Sequence, residues 1–275
     1  MVQKKHTGPY YRLPASFMAG VVPGVLIALL MMGTVGVYAR RRSYPVYDRA
    51  TFQERVSALG NASLALVTPA IIVGGIVGGL FTPTEASVIA VLYSAVLGGV
   101  IYGSVKLSQF PKVLYDSARL AAISLFCIGT ASAFGWLLAY YRVPQALVDV
   151  MASWGTGFIA TGLLIAASFL FVGMFIDAIP AIIVLGTVLL PLAAKVDMHP
   201  IHFAIIGVIS LAFGLVTPPY GLCLLISCSL GEVPVVRVLR DVAIILLPML
   251  ILLLVVIVFP EFVLFLPRWL TPKFL

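Results

Sequence analysis

Two acidic residues are isolated in long apolar stretches, and they are the first candidates for chemistry. Asp177 is the only charged residue between 150 and 194, and Glu85 is the only one between 56 and 105. A charge at membrane depth costs roughly 2.5–3.5 kcal/mol on insertion scales, so a functional role is the default interpretation. Asp177 could accept N–H bonds at a hairpin tip, cap the following helix or lie near a cation, and a purely structural cap is an equal alternative. Glu85 fits the first turn of a helix, where the helix dipole favours an acid and a structural role is the stronger interpretation.

Helix-breaking residues interrupt two apolar segments that follow each other in the chain. The sequence Asp177-Ala178-Ile179-Pro180 separates two arms, 158–175 and 179–194, each shorter than a comfortable crossing. Thr217-Pro218-Pro219-Tyr220-Gly221 interrupts the segment 201–231 in the same way. Discontinuous helices indicate a transporter binding site near the middle of the bilayer, because unwound carbonyl groups suit sodium and N–H groups at half-helix N-termini suit carboxylates. Ordinary proline kinks in packed helices are the alternative.

These residues belong to a chain with the composition of a membrane protein. Of its 275 residues, 62% are hydrophobic and 10% are charged, and the mean hydropathy is +1.15. Soluble domains carry about 45–50% apolar and about 25% charged residues, so this composition excludes a soluble enzyme, a disordered chain and a nucleic-acid-binding domain. Segments that span lipid must be helices or closed barrels, and the alternating pattern of a barrel is absent. We therefore predict an all-α polytopic membrane protein.

Charge-free runs predict the helices that must position the two interruptions. We expect a helix over 14–38, two crossings within 56–105, one crossing over about 119–140 and a last helix over about 239–260. The turn between the two crossings is expected at Thr82-Pro83-Thr84. The threonine directly before the glutamate, Thr84, is expected to cap the next helix.

The net charge of +7 is interpreted as a signal of topology. Lys and Arg concentrate in the segments 40–55, 106–119 and 232–240, which are therefore expected on the cytoplasmic side.

The sequence motifs give little indication of metal binding by side chains or of enzymatic activity. His199 and His202 have no nearby cluster of acids or cysteines except Asp197, so structural roles at a helix start are expected. The three cysteines lie in apolar runs without metal-ligand or disulfide spacing. Phosphate-binding loops, metalloprotease helices and nucleophile elbows are all missing, so an enzyme is not expected.

Five motifs in a fixed order resemble one family of membrane proteins. They are Phe81-Thr82-Pro83-Thr84-Glu85-Ala86; Gly173-Met174-Phe175-Ile176-Asp177 with Pro180; Leu189-Leu190-Pro191; His199-Pro200-Ile201-His202-Phe203; and Gly214-Leu215-Val216-Thr217-Pro218-Pro219-Tyr220-Gly221. Together they resemble the large membrane (permease) subunit of tripartite ATP-independent periplasmic (TRAP) transporters, of the C4-dicarboxylate/sialic-acid type. The resemblance runs from about Phe17 to Leu270 but covers only the C-terminal half of that subunit. It implies a fragment, a truncated gene product or one half of a split subunit.

The resemblance implies an elevator-type transporter fold with one inverted-repeat unit in this chain. Such a unit contains a re-entrant helical hairpin and a discontinuous transmembrane helix. The implied division of the chain is an N-terminal polar segment (1–13), scaffold helices (14–105), a cytoplasmic loop (106–117), a transport-domain half (118–231) with the hairpin at 157–194 and the broken helix at 201–231, and an amphipathic linker with the last scaffold helix (232–275).

The resemblance also implies site residues. Backbone oxygens of Gly173, Gly214, Thr217 and Tyr220 would bind Na+, and no other metal is expected. Tyr220 departs from the family, which more often has an apolar residue there. The hairpin tip and substrate region would comprise Asp177, Ala178, Pro180, Pro218, Pro219 and Gly221. Thr82, Pro83, Thr84 and Glu85 would form a structural motif.

The implied function is sodium-coupled import of organic acids across the bacterial inner membrane. The partners would be a periplasmic substrate-binding protein, a small four-helix TRAP membrane subunit, the missing first-repeat half of the large subunit and the lipid bilayer, with no nucleic acid. The alternative is a non-transporting membrane scaffold or assembly subunit derived from such a transporter.

Overall fold

A computed structural model describes residues 13–42, 49–104, 106–153, 155 and 157–270. Most of the predicted N-terminal segment 1–13, part of the loop 40–55 and residues 271–275 lie outside this description. All elements in the described ranges are helical. The α-helices are α1 (Leu13–Arg41), α2 (Phe52–Val77), α3 (Pro83–Val96), α4 (Phe110–Tyr140), α5 (Val143–Ser153), α6 (Phe158–Gly173), α7 (Ala178–Lys195), α8 (Pro200–Gly214), α9 (Leu222–Leu230), α10 (Val235–Val258) and α11 (Pro260–Leu270), with a π-helical turn at Leu97–Ile101 and a 3-10 turn at Leu107–Gln109.

Six of the described helices are long and apolar enough to cross a membrane. They are α1, α2, α3 extended by its π-helical turn, α4, α7 and α10. The predicted all-α polytopic fold is therefore confirmed. By contrast, α6 has 16 residues and α8 has 15, or about 24 Å and about 22 Å at 1.5 Å per residue. The second arm, α7, has 18 residues, or about 27 Å, which is just long enough to count among the six.

The buried core lies around α6 and α8. Ile165 of α6 and Ile206 of α8 are fully buried, and Val256 and Ile257 of α10 close the core from a third side. Phe158 stacks on His202 near the starts of α6 and α8, and the ends of both helices also meet. The two helices therefore run in the same direction, which brings their C-termini together. Around this core, α1 packs on α10 and α11, and α4 packs on α7.

Large apolar side chains cover the outer surface of the helices. Phe126 is 72% exposed, Leu247 is 63% exposed and Val91 is 66% exposed. A soluble monomer rarely exposes large contiguous apolar surface, whereas lipid-facing helices require it. The outer surface therefore agrees with the membrane location that the composition predicts.

The start of α3 corrects one prediction. Thr82 rather than Thr84 is the N-cap, since the Thr82 side chain accepts from the Glu85 N–H at 3.3 Å. The Glu85 carboxylate in turn accepts from the Thr82 N–H at 2.8 Å, which completes a capping box. Pro83 occupies the first helical position, where its missing N–H costs nothing. This arrangement gives Glu85 a structural role.

Two helices were not anticipated as separate elements. After α4 the chain forms α5 (Val143–Ser153), and α11 (Pro260–Leu270) follows α10 after a break at Phe259. Both are short, 11 residues each, so they lack the long charge-free run that marks a crossing.

Candidate functional site

The interruption after α8 follows directly from its two prolines. In a continuous helix the N–H groups of residues 218 and 219 would donate to the carbonyls of Gly214 and Leu215. Pro218 and Pro219 have no N–H, so the helix cannot continue. The Gly214 carbonyl instead accepts from the Thr217 N–H at 2.9 Å, and the Leu215 carbonyl accepts from the Cys223 N–H at 3.0 Å. The break is therefore a closed structure in which both carbonyls keep a donor.

The interruption between α6 and α7 is a tight reversal. At the end of α6 the Val172 carbonyl accepts from both the Phe175 and the Ile176 N–H groups, at 3.0 and 2.9 Å. Asp177 is extended at the N-cap of α7, and Pro180 falls in the first turn of that helix. The first four N–H groups of a helix have no intrahelical acceptor, so a proline is tolerated there. The sequence Asp-Ala-Ile-Pro thus ends one helix and starts the next.

The two interruptions are joined by a backbone hydrogen bond. The Gly221 N–H donates to the Met174 carbonyl at 3.2 Å. In a helix that amide would donate to Thr217 O, so this bond forms because the prolines have already unwound the chain. Residues 47 positions apart in sequence, one from each predicted break, are therefore in direct contact.

Gly173 and Gly214 hold the ends of α6 and α8 in close contact. An ideal Cβ on Gly214 would lie 2.6 Å from Leu170 O, 2.8 Å from the Gly173 carbonyl carbon and 2.9 Å from Gly173 Cα. A Cβ on Gly173 would lie 3.1 Å from Leu211 O. Real Cβ atoms essentially never approach closer than 3.0 Å, so only glycine fits at Gly214 without moving the backbone.

Gly221 is required for a second reason. Its φ of 33° lies in the left-handed region, and a Cβ there would lie 2.8 Å from Thr217 O. Side chains other than glycine are strained in this conformation. Gly221 therefore permits the turn that returns the chain to α9.

The meeting of four helix ends gives the site a defined electrostatic character. The C-termini of α6 and α8 converge at Gly173 and Gly214, and C-terminal carbonyls carry partial negative charge that attracts cations. The N-termini of α7 and α9 begin a few residues beyond, at Ala178 and Leu222, and carry partial positive charge that attracts anions. One small region therefore presents groups for both signs of charge.

Thr217 and Tyr220 lie in the turn between α8 and α9. The Thr217 hydroxyl donates to Phe213 O at 2.6 Å, which keeps that side chain turned toward α8. Tyr220 is 55% exposed, so its side chain points away from the packed helix ends. Thr217 O and Tyr220 O accept none of the described hydrogen bonds.

The other predicted tip residues surround this contact. Asp177 is exposed and its carboxylate makes no capping hydrogen bond, although its backbone is at the N-cap. Among the alternatives for Asp177, capping by the side chain is therefore not observed. Ala178, Pro180 and Pro218 are half-buried, and Pro219 is exposed. The structural motif at Thr82 to Glu85 is elsewhere, since the principal contacts of α3 are with α2.

The two histidines have structural partners. His199 is the N-cap of α8, where its Nδ1 accepts from the Ile201 N–H at 3.3 Å. His202 is fully buried, and its Nε2 lies 2.8 Å from Val256 O. Within the described ranges, no group of three His, Cys, Asp or Glu residues could hold a metal ion.

Leu170, Met174 and Leu215 were not predicted as site residues. The carbonyls of Met174 and Leu215 accept the hydrogen bonds described above, and the Leu170 carbonyl packs against Gly214. Leu215 could have been found, because Pro219 removes the amide that would normally bond to it. Met174 and Leu170 could not, because their roles depend on how α6 lies against α8. The clefts described on the surface are elsewhere; one of about 430 Å³ lies between α1 and α10.

The helices and the two interruptions together define a class of protein. The chain is a polytopic α-helical membrane protein whose core contains two interrupted helical segments bonded to each other.

Comparison with known families makes the class specific. The family model for the tripartite ATP-independent periplasmic transporter, DctM component, matches residues 13–262. The chain belongs to this family. Its six membrane-capable helices agree with a multi-pass membrane component of this family.

Similar proteins carry different transport names. The chain is 34% identical over 254 residues to the sialic acid TRAP transporter large permease protein SiaM of Vibrio cholerae, covering 92% of this chain and 60% of SiaM. It is 33% identical over 254 residues to the C4-dicarboxylate protein DctM of Pseudomonas aeruginosa, with 92% and 60% covered. It is 32% identical over 249 residues to the isethionate permease protein DctMQ of Oleidesulfovibrio alaskensis, with 90% and 38% covered.

The chain therefore spans about 60% of the length of the large permease proteins that it matches. These names are all transport names, and none of them supports the scaffold alternative.

Proposed function

We propose that this chain forms the second half of the membrane subunit of a sodium-coupled secondary transporter that imports organic acids. The observation that carries the proposal is the bond from the Gly221 N–H to the Met174 carbonyl, which unites the two interruptions into one site. Discontinuous helices that meet in the core of a membrane protein are typical of ion and substrate sites in secondary transporters.

We infer that backbone oxygens of Gly173, Gly214, Thr217 and Tyr220 bind the sodium ion. Sodium is a hard cation that prefers oxygen ligands, and carbonyls of unwound segments and helix C-termini supply them. The donor set fits this chemistry, because Thr217 O and Tyr220 O accept none of the described hydrogen bonds and the ends of α6 and α8 converge beside them. A bound ion would neutralise the partial charge of the two converging C-termini and hold the loop in one conformation.

The substrate class follows from the other pair of helix ends. N–H groups at the N-termini of α7 and α9 favour an anion, and Asp177 to Pro180 with Pro218, Pro219 and Gly221 would form its surroundings. Sialic acid, C4-dicarboxylates and isethionate, named for three of the similar proteins, are organic anions, and ectoine, named for a fourth, also carries a carboxylate. We therefore assign an organic acid to this chain without choosing among them.

The proposed mechanism is an elevator movement of a transport domain, about residues 118–231, past a scaffold formed by 14–105 and 239–265. In this mechanism α6 and α7 form a re-entrant hairpin, and sodium binding orders its tip so that the organic acid meets a preformed site. The proposed partners are a periplasmic substrate-binding protein, a small four-helix membrane subunit and the first-repeat half of the large subunit.

The test is uptake into proteoliposomes that contain this chain together with the proposed partners. A panel of radiolabelled carboxylates and sulfonates, presented with the binding protein, is measured in sodium and in potassium at equal ionic strength. We expect uptake of at least one organic anion in sodium only. Uptake that is equal in sodium and potassium would refute the sodium assignment, and the absence of uptake for every anion would refute the transport assignment.

A further inference from the structure

An open apolar groove runs along the outer side of α1 and α10. It has a volume of about 430 Å³ and its walls include Leu29, Gly33 and Val37 of α1 and Ile244 of α10. Leu29 and Val37 are each 56% exposed, so the groove is accessible from the outer surface of the helices. At its end the groove reaches Arg41, in the last turn of α1.

Arg41 lines the end of the groove, and Arg40, Arg237 and Arg240 lie on the two helix ends that the Arg42–Asp241 ion pair joins. Arg40 and Arg41 end α1, whereas Arg237 and Arg240 lie in the first turns of α10. All four are exposed, and none forms an ion pair with another described residue. Their charges therefore add to a local positive field.

The nearby acid, Asp241, is already neutralised. Its carboxylate accepts from Arg42 at 3.0 and 3.3 Å and also from the Tyr38 hydroxyl. Arg42 in addition lies 4.7 Å from the centre of the Tyr38 ring. This cluster fastens the end of α1 to the start of α10, and it leaves the four other arginines to act on an external anion.

Helical spacing places these charges on the side of α10 that faces the groove. Arg237, Arg240, Asp241 and Ile244 are at positions i, i+3, i+4 and i+7, which share one helix face. Asp241 contacts α1 and Ile244 lines the groove, so the same face carries Arg237 and Arg240 toward the mouth of the groove. The groove thus combines an apolar wall with a cationic end.

We propose that this groove binds one anionic phospholipid. An acyl chain would lie along Leu29, Gly33 and Val37, and the phosphate would lie among Arg41, Arg237 and Arg240. Both arginine pairs belong to segments that the charge distribution predicts on the cytoplasmic side, where basic pockets between transmembrane helices bind anionic headgroups. The proposal does not depend on the proposed transport function.

Charge and shape favour a lipid over other occupants. A second copy of this chain, packed symmetrically, would bring the same four arginines against each other, which costs free energy. A small soluble anion would use the arginines but would leave the apolar wall exposed. A lipid satisfies both parts of the groove, because its tail is apolar and its phosphate is anionic.

The experiment measures lipid retention by native mass spectrometry of the purified full chain, titrated with phosphatidylglycerol or phosphatidylcholine. We expect one tightly held phosphatidylglycerol per chain. In the triple variant Arg41→Gln/Arg237→Gln/Arg240→Gln, the affinity for phosphatidylglycerol is expected to fall on the order of a hundredfold. Each basic side chain near an anionic lipid surface contributes about fivefold to the affinity, and the variant removes three of them. The matched control Lys106→Gln/Lys112→Gln/Arg119→Gln removes three charges from another segment predicted to be cytoplasmic, and it is expected to retain the lipid.

A second pair of variants tests the groove without changing charge. A Cβ at Gly33 or at Gly36 meets nothing within 4 Å, so either position accepts a larger side chain. Gly33→Leu would fill the groove and is expected to abolish the bound lipid, whereas Gly36→Leu lies outside the groove and is expected to keep it.

Three results would overturn the proposal. One is equal retention of phosphatidylcholine and phosphatidylglycerol. Another is equal loss of bound phosphatidylglycerol in a variant and its matched control, for either the charge variants or the glycine variants. The third is a dimer mass that disappears with Gly33→Leu, which would assign the groove to a second copy. Melting temperatures of all variants establish that each is folded.

Discussion

Replacing Gly214 by alanine is the sharpest perturbation that the site allows. The new Cβ would lie 2.6 Å from Leu170 O, and ordinary contacts begin at 3.4 Å, so the ends of α6 and α8 must separate by about 0.8 Å. The obstructing atoms are backbone atoms of Leu170 and Gly173, which cannot rotate away as a side chain can. The separation would also lengthen the bond from Gly221 to Met174, now 3.2 Å.

The expected cost follows from this geometry. Overpacking in a core costs about 1–3 kcal/mol, and rigid obstructing atoms place Gly214→Ala near the upper end. Alanine within a helix is more stable than glycine by about 0.5–1 kcal/mol, and this gain offsets part of the cost. The net destabilisation is therefore roughly 2 kcal/mol. For a chain of this size, each kcal/mol lost from the free energy of unfolding lowers the melting temperature by about 2–4 °C. The melting temperature of Gly214→Ala should therefore fall by about 4–8 °C.

The assay is thermal unfolding of the full chain in detergent, in sodium and in potassium chloride at equal ionic strength. A ligand that binds only the folded state raises the melting temperature, so the unmodified chain should melt higher in sodium. Gly214→Ala should lose this difference as well as stability. The matched control is Gly186→Ala in α7, where a Cβ meets nothing within 4 Å; it should be slightly stabilised and should keep the sodium effect.

Equal melting temperatures for Gly214→Ala and Gly186→Ala would refute the close contact between α6 and α8. A destabilised Gly214→Ala that keeps the full sodium effect would leave the contact intact but would refute the sodium site at these helix ends.

Three further substitutions separate local stability from function. Thr217→Val removes the hydroxyl bond to Phe213 O and should lower the free energy of unfolding by about 1 kcal/mol, while uptake stays sodium-dependent. Thr217→Pro should abolish sodium-dependent uptake, and equal uptake by the two variants would contradict the assignment of sodium to backbone oxygens. Thr82→Ala should cost about 1 kcal/mol in unfolding free energy and Thr84→Ala much less, since Thr82 alone is the cap; the reverse order in denaturant titrations would refute the capping box. Asp177→Asn should leave the melting temperature within about 1 °C, because its carboxylate makes no capping bond, so a loss of uptake in this variant would indicate a role in transport.

The positions of both interruptions could be predicted because covalent structure determines them. Pro218 and Pro219 lack the amides that would continue α8, and this is true whatever surrounds them. The long charge-free runs likewise predicted the main crossings, since a bilayer demands a minimum apolar length. Fold class and the site of each break therefore follow from local chemistry.

Other features depend on packing and could not be predicted. Thr82 and Thr84 are both acceptable caps by residue type, and the helix start at Pro83 decides between them. The short helix α5 has too few residues to produce a crossing signal. The partnership of Gly221 with Met174 requires α6 and α8 to run in the same direction, which residue spacing along one chain does not reveal.

The bond from Gly221 to Met174 also makes one amide proton a reporter of motion. Any rearrangement that separates the hairpin tip from the broken helix must release this proton, and a released amide exchanges with deuterium from water. Gly221 lies outside the regular helices, so its exchange does not require a helix to unwind. Its deuterium uptake would therefore follow the opening and closing of the tip separately from unfolding of the chain.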